Sequence, residues 1–111
     1  MESRTIGAAR DLGVNLRSAA EIPDLIGAAY DLDGLVLHAA DLAPEFLNLR
    51  SGLLGELFQK LVTYRKAVAF VVPDPAAHGE RFAELAREHA THPQIRFFQT
   101  EARGRAWLEA R

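Results

Sequence analysis

The strongest constraint on the fold is the run Ala67-Val68-Ala69-Phe70-Val71-Val72, which is apolar at every position and stops at Pro73-Asp74-Pro75. A strand with one face in water alternates apolar and polar residues; a run without alternation reads as a central parallel strand covered on both faces. The proline that ends it lacks the N–H that an interior ladder requires. Parallel neighbours are joined by crossovers, usually helices, so the flanking sequence is expected to alternate strand and helix in right-handed units.

Period and punctuation supply that alternation. Arg4 to Ala9 reads as a short edge strand. Ser18-Ala19-Ala20-Glu21 has the form of a capping box, and a helix is expected from about Ala19 to Tyr30, with Pro23 near the end of its first turn. Asp31-Leu32-Asp33-Gly34 is turn chemistry, followed by a short buried strand at Leu35-Val36-Leu37. Between Gly52 and Tyr64, Leu53, Leu54, Leu57, Phe58, Leu61 and Val62 recur at helical spacing, and Glu56, Gln59, Lys60 and Thr63 fall on the other side. A third helix is expected from His78 to Ala90, with Phe82, Leu85, Ala86 and His89 inward. Ile95 to Gln99 is the last strand. Thr100 caps a short final helix whose Trp107 and Leu108 pack back on the sheet.

Composition removes several classes of function. With 111 residues, 49% hydrophobic and 25% charged, the chain is expected to form one domain with one site over 1–111. Its formal charge is −2 with both signs interspersed, which gives no footprint for a phosphate backbone, and nucleic acid is not an expected partner. The absence of cysteine removes disulfides, Cys-ligated zinc and thiol nucleophiles. MESRTIGAAR carries no long apolar core and no run reaches the roughly 20 residues that span a bilayer, so a cytoplasmic location is expected. His78, His89 and His92 stand among Glu80, Glu84 and Glu88, but Pro93 is expected to end the helix and make the last two imidazoles diverge. Neither a metal nor a cofactor is expected.

The segment from Leu35 to Arg65 concentrates polar groups where a parallel strand hands over to a helix, the usual location of sites in open α/β sheets. Ser51 stands just before an amphipathic helix. As a cap it predicts a loss on the order of 1 kcal/mol in Ser51→Ala, while Ser51→Asp, which keeps a capping oxygen, retains stability. The same position favours anions, so a phosphate on Ser51 or an anionic ligand beside Arg50 is the other reading. Gly55 is expected to let the helix lie close on the sheet, and Gly52 either to do the same or to leave room for a ligand or partner. Glu56 and Lys60 form an i,i+4 pair. His38 with Asp41 and Ser51 has the residue types of acyl transfer, yet no G-x-S-x-G elbow is present and the spacing defines no triad.

The residues Leu37-His38, Asn48-Leu49, Ser51-Gly52-Leu53, Gly55-Glu56, Gln59-Lys60 and Tyr64-Arg65 resemble the signature of the bacterial family known as domain of unknown function 4180, over about Ser18 to Leu108. More distantly, the order of elements is similar to the STAS domain of anti-sigma factor antagonists. That resemblance implies a regulatory Ser at the start of the helix, here within Asn48-Leu49-Arg50-Ser51-Gly52-Leu53. Arg50 stands where the STAS pattern often has a small hydroxyl residue, and Asn48 replaces its upstream Asp.

The expected architecture is a STAS-like α/β domain, a mainly parallel sheet of about four strands with helices packed against it. The leading functional expectation is a non-enzymatic regulatory or protein-interaction module acting through the Ser51 helix start and the His38 to Leu49 loop. Contacts are expected at His38, Phe46, Arg50, Ser51, Gly52, Glu56, Gln59 and Lys60. The partner is a protein, with a homodimer included, or a small molecule. In the second case Phe46, Leu47 and Leu49 line or lid an apolar pocket that takes a small molecule or a lipid. The third alternative is an enzyme using His38 with Glu56.

Overall fold

A computed structural model describes residues 4–111. Strands β1 (Ile6–Ala8), β2 (Gly34–His38), β3 (Ala67–Val71) and β4 (Ile95–Phe98) form one sheet in the order β1-β2-β3-β4, and every pair is parallel. The helices are α1 (Ile22–Ala28), α2 (Pro44–Leu47), α3 (Leu53–Thr63), α4 (Glu80–Glu88) and α5 (Glu101–Ala110). The α/β class with a four-stranded parallel sheet is as the sequence predicts.

The strand order decides which face each helix covers. When successive strands are added in one direction, right-handed crossovers put all the connecting helices on the same side. The packing agrees: Leu25 of α1, Phe46 of α2, Leu57 of α3 and Phe82 of α4 share one core with Leu35, Leu37, Val68 and Phe70. Only α5, which follows the last strand, is free to cover the other face. Its Leu108 and Trp107 pack with Val36, Ala67, Ala69 and Val71. All five residues of β3 are buried, because both of its faces are covered.

Each buried side chain of the Leu or Phe type contributes about 1.5–3 kcal/mol, and the first face holds most of them. Phe97 is the hub of an aromatic cluster there, with ring centroids 5.0 Å from Phe70, 5.8 Å from Phe82 and 5.9 Å from Phe58. On the second face the side chains of β3 are small, and the α5 backbone comes down onto them at Gly104. A Cβ built on Gly104 lies 2.8 Å from Cβ of Ala69.

Local chemistry explains where the elements begin and end. Ser18 and Glu21 form the expected capping box, with Ala20 N–H donating to Ser18 Oγ and Ser18 N–H to Glu21 Oε1 at 2.8 Å. The helix expected from Ala19 is divided, a 3₁₀ turn at Ala19–Glu21 followed by α1, because Pro23 has no N–H for a continuous ladder. The short helix α2 and the 3₁₀ turns at Ala9–Leu12, Ala39–Asp41, Leu49–Ser51 and Pro75–His78 carry no strong apolar period and were not predicted. Val62, expected on the inner side of α3, is 39% exposed. Helix α3 ends with Arg65 at φ 56°, Arg65 N–H donating to Val62 and Lys66 N–H to Leu61, a Schellman closure with arginine where glycine is usual. Ahead of β4, His92 Nδ1 accepts the N–H groups of both Gln94 and Ile95 at 3.0 Å.

Gly55 corrects the sequence reading. It is exposed and a Cβ there meets nothing within 4 Å, so close packing does not account for it. Gly55→Ala is expected to raise unfolding free energy by about 0.5–1 kcal/mol through helix propensity alone. Gly104→Ala is expected to do the opposite, since overpacking costs about 1–3 kcal/mol against a propensity gain near 1. Denaturant unfolding of the two variants checks the pair; equal signs contradict the packing described for α5.

Candidate functional site

Side-chain parity sends His38 to the second face. Leu35 and Leu37 point into the main core, Val36 into the α5 core, and His38 follows Val36. Its ring is therefore on the side of α5, where Nε2 lies 2.6 Å from Glu101 Oε1; the bond to a carboxylate assigns the proton to Nε2 and leaves Nδ1 as the basic nitrogen. Glu101 Oε2 in turn accepts from Arg105 Nε at 2.6 Å. Thr100 starts α5 by accepting Arg103 N–H, so Glu101 lies in its first turn and Arg105 one turn later.

Asp41 does not join this chain of bonds. Its Oδ2 accepts the backbone N–H of His38 at 3.0 Å, fixing the turn after β2, and its Oδ1 lies 3.6 Å from Arg10. The carboxylate on the His38 ring is thus Glu101, 63 positions away. The Arg105 hydrogen bond first, and that of His38 second, hold the Glu101 carboxyl below its ordinary value against an opposing desolvation. As a unit the three side chains fix the orientation of the imidazole. They equally staple α5 to the end of β2.

Ser51 lies on the opposite side of the sheet, in the 3₁₀ turn between α2 and α3. Its Oγ is 2.6 Å from the Glu45 carbonyl and 2.8 Å from that of Asn48, and it accepts Leu53 N–H at 3.2 Å. Asn48 Oδ1 caps the turn by accepting Arg50 N–H. Gly52 has φ 76° and nothing within 4 Å of a built Cβ, so its left-handed backbone between the turn and α3 accounts for it without close packing.

The remaining expected site residues separate. Phe46 is 0% exposed and fills the main core; it neither lines nor lids a pocket. Arg50, Glu56, Gln59 and Lys60 are exposed, the last three along α3. Glu56 and His38 do not converge, because α3 and the His38 ring belong to opposite faces of the sheet. Near Phe46 lies an open apolar depression bordered by Ala39, Leu42, Pro44 and Leu47. Two further grooves meet at the turn before α3. One is bordered by Asn48, Arg50, His78 and Arg81, the other by Leu49, Arg50, Arg81, Glu84 and Glu88.

The histidines expected to diverge do not. The rings of His89 and His92 stack with centroids 5.0 Å apart, His89 Nδ1 donating to the Leu85 carbonyl. Burial first, then His89 and Arg96, lower the pKa of His92, in keeping with an Nδ1 that accepts two N–H groups. Among the described residues no group of three or more His, Cys, Asp or Glu could hold a metal ion. Nor is any helix there long and apolar enough to cross a membrane.

A family model described as Domain of unknown function (DUF4180) matches residues 2–108. The chain belongs to that family. No curated protein and no solved structure matches it.

Every side chain of both polar clusters lies within the DUF4180 match. Sequence reasoning missed Glu101 and Arg105. The i,i+4 spacing of the two was visible, but their meeting with His38 depends on which face α5 covers. In this DUF4180 chain Glu101, with its folded pKa depressed, contributes stability that is present above the ordinary value of 4.5 and is lost as pH falls through the lower folded value. The stability difference between the wild type and Glu101→Gln should therefore shrink over that acidic window, as read from denaturation at successive pH values. For Ser51 the geometry revises one expectation, because the hydroxyl gives a proton to a carbonyl as well as capping Leu53. Ser51→Ala should cost about 1 kcal/mol, and Ser51→Asp, with no proton to donate and a charge facing two carbonyls, should cost at least as much rather than retain stability.

Proposed function

We propose that the chain is a non-enzymatic regulatory or protein-interaction module, STAS-like in fold and bacterial and cytoplasmic in origin, whose contact surface is the turn from Asn48 to Gly52 with the His38 to Leu49 loop beside it. The observation that carries the reading is the setting of that turn. It borders open grooves whose exposed rims hold Arg50 and Arg81 at one end and Glu84 and Glu88 at the other. Shallow, mixed-charge grooves suit a protein surface with acidic and basic residues of its own, and they offer little to a phosphate backbone. The enclosed apolar pocket that a small molecule or lipid favours has lost Phe46 to the core. The pairing of His38 with Glu56 that an enzyme needs is divided between two faces.

Phosphorylation of Ser51 has a defined local consequence in this reading. It removes the hydroxyl proton that bonds a carbonyl of Glu45 or Asn48 and brings two negative charges beside Arg50. The turn must open to accommodate them, which alters the rim of both grooves. The experiment is affinity capture from the source cells with Arg50→Glu, Arg81→Glu and Ser51→Asp, beside Glu109→Lys on the exposed side of α5 as control. Loss of one and the same captured protein with the first three and its retention with the control is the expected result. Equal recovery with all four variants removes the reading.

A further inference from the structure

We infer that strand β4 is the seam of a symmetric dimer, in which two copies join their sheets edge to edge through antiparallel β4 strands. This inference is independent of the Arg50–Ser51 surface. The strand order leaves β4 paired on one side only. In its parallel ladder the Gln94 and Phe98 carbonyls accept from Val68 and Val72, so residues 94, 96 and 98 turn their backbone groups toward β3. By the same two-residue alternation, Ile95, Phe97 and Gln99 turn theirs outward. Ile95 N–H is already taken by His92 Nδ1, whereas both groups of Phe97 face the open edge.

That pattern is self-complementary. About a two-fold axis through Phe97 and perpendicular to the sheet, Phe97 of each copy exchanges both backbone bonds with its counterpart. Gln99 N–H of each copy then reaches the Ile95 carbonyl of the other. The ladder ends where His92 has already satisfied Ile95 N–H, so the register leaves no amide of Ile95 in competition. A slip by one residue would set inward-facing groups against the partner and lose these bonds.

Charge complementarity identifies the occupant as a second copy. A groove runs beside β4, bordered by Ala83, Ala86, Arg87, Phe97 and Asp74. Asp74 stands at the end of the sheet where β3 finishes, and Arg87 near the far end of α4, which runs back toward the start of β4. Neither forms an ion pair among the described residues. The two-fold axis inverts the long direction of the groove and so sets Asp74 of one copy toward Arg87 of the other, twice per dimer. The small side chains of Ala83 and Ala86 let the two α4 helices approach on the same face while the strands pair.

Sedimentation equilibrium of the full chain across a wide concentration range tests this, with circular dichroism to confirm folding of each variant. The wild type is expected at twice the chain mass. Ala86→Arg, which fills the helix seam, and Gln99→Pro, which removes an outward N–H, are each expected to give folded monomers. Asp74→Arg and Arg87→Asp alone should each weaken the dimer several-fold, and the double variant carrying both should restore it. A monomeric wild type overturns the inference and leaves the edge to a foreign strand. A dimer that survives Ala86→Arg unchanged, or a charge exchange that weakens without restoring, overturns it as well.

Discussion

The inequality of the two faces of β3 governs the rest of the structure. Val68, Phe70 and Val72 point one way, and Ala67, Ala69 and Val71 the other. The first set needs thick cover, which three crossover helices and the short α2 provide. The second set is thin enough for a single helix to lie almost in contact with the strand, through Gly104 over Ala69. Strand order and handedness then leave no choice of assignment, because the three crossovers must share a face and only the chain beyond β4 can reach the other. The interior is close-packed, so a methyl group at position 104 is felt and one at position 55 is not.

The same parity separates the polar residues into two groups. His38 continues the β2 alternation onto the thin face, and α5 brings Glu101 and Arg105 to it. Ser51, Arg50 and the outer residues of α3 lie on the thick side. Hydrogen bonding strengthens the separation. The imidazole, the carboxylate and the guanidinium on the thin face bind each other, as do the hydroxyl and the carbonyls of the Ser51 turn. The charges of Arg50, Arg81, Glu84 and Glu88 stay exposed on the rims of the helical layer, and the proposed contact surface rests on them.

Much of the fold was legible because its signals are local. The unbroken apolar run of β3, the heptad-like spacing of α3, the Ser18 to Glu21 box and Thr100 before α5 each act within a few residues. The face assignment was partly legible too. Small residues at 67 and 69 against Val68 and Phe70 announce which side of the strand is tightly approached, a size alternation that a reading of apolar against polar overlooks. The site was not legible for a different reason. His38 and Glu101 are 63 positions apart, and their contact requires knowing the parity of β2 and the face of α5 together. Phe46 misled because an aromatic residue in a loop reads as a binding group, while here the short α2, without enough length to show a period, carries it into the core. The stacking of His89 and His92 was not legible from Pro93: α4 ends at Glu88, before the proline, and the turn that follows brings the two rings together rather than apart.

A sheet built in the order β1-β2-β3-β4 has no point at which the strand order reverses. Open α/β sheets that do reverse split their helices between the faces at that point and open a crevice beyond the strand ends, and ligands bind there. Here no two neighbouring crossovers diverge; beyond the strand ends lie 3₁₀ turns at Ala39–Asp41 and Pro75–His78 that border shallow open depressions, and α5 returns over the second face. As in any open sheet, the outer edges of the two flanking strands, here β1 and β4, have no strand partner among the described residues. On β4 the edge is narrowed from below by His92 and flanked by half-buried Phe97 and Phe98, which leaves a short stretch able to accept only a strand in a particular register. The two surfaces proposed for contact lie elsewhere, on the rims of the helical layer and at the free edge of β4.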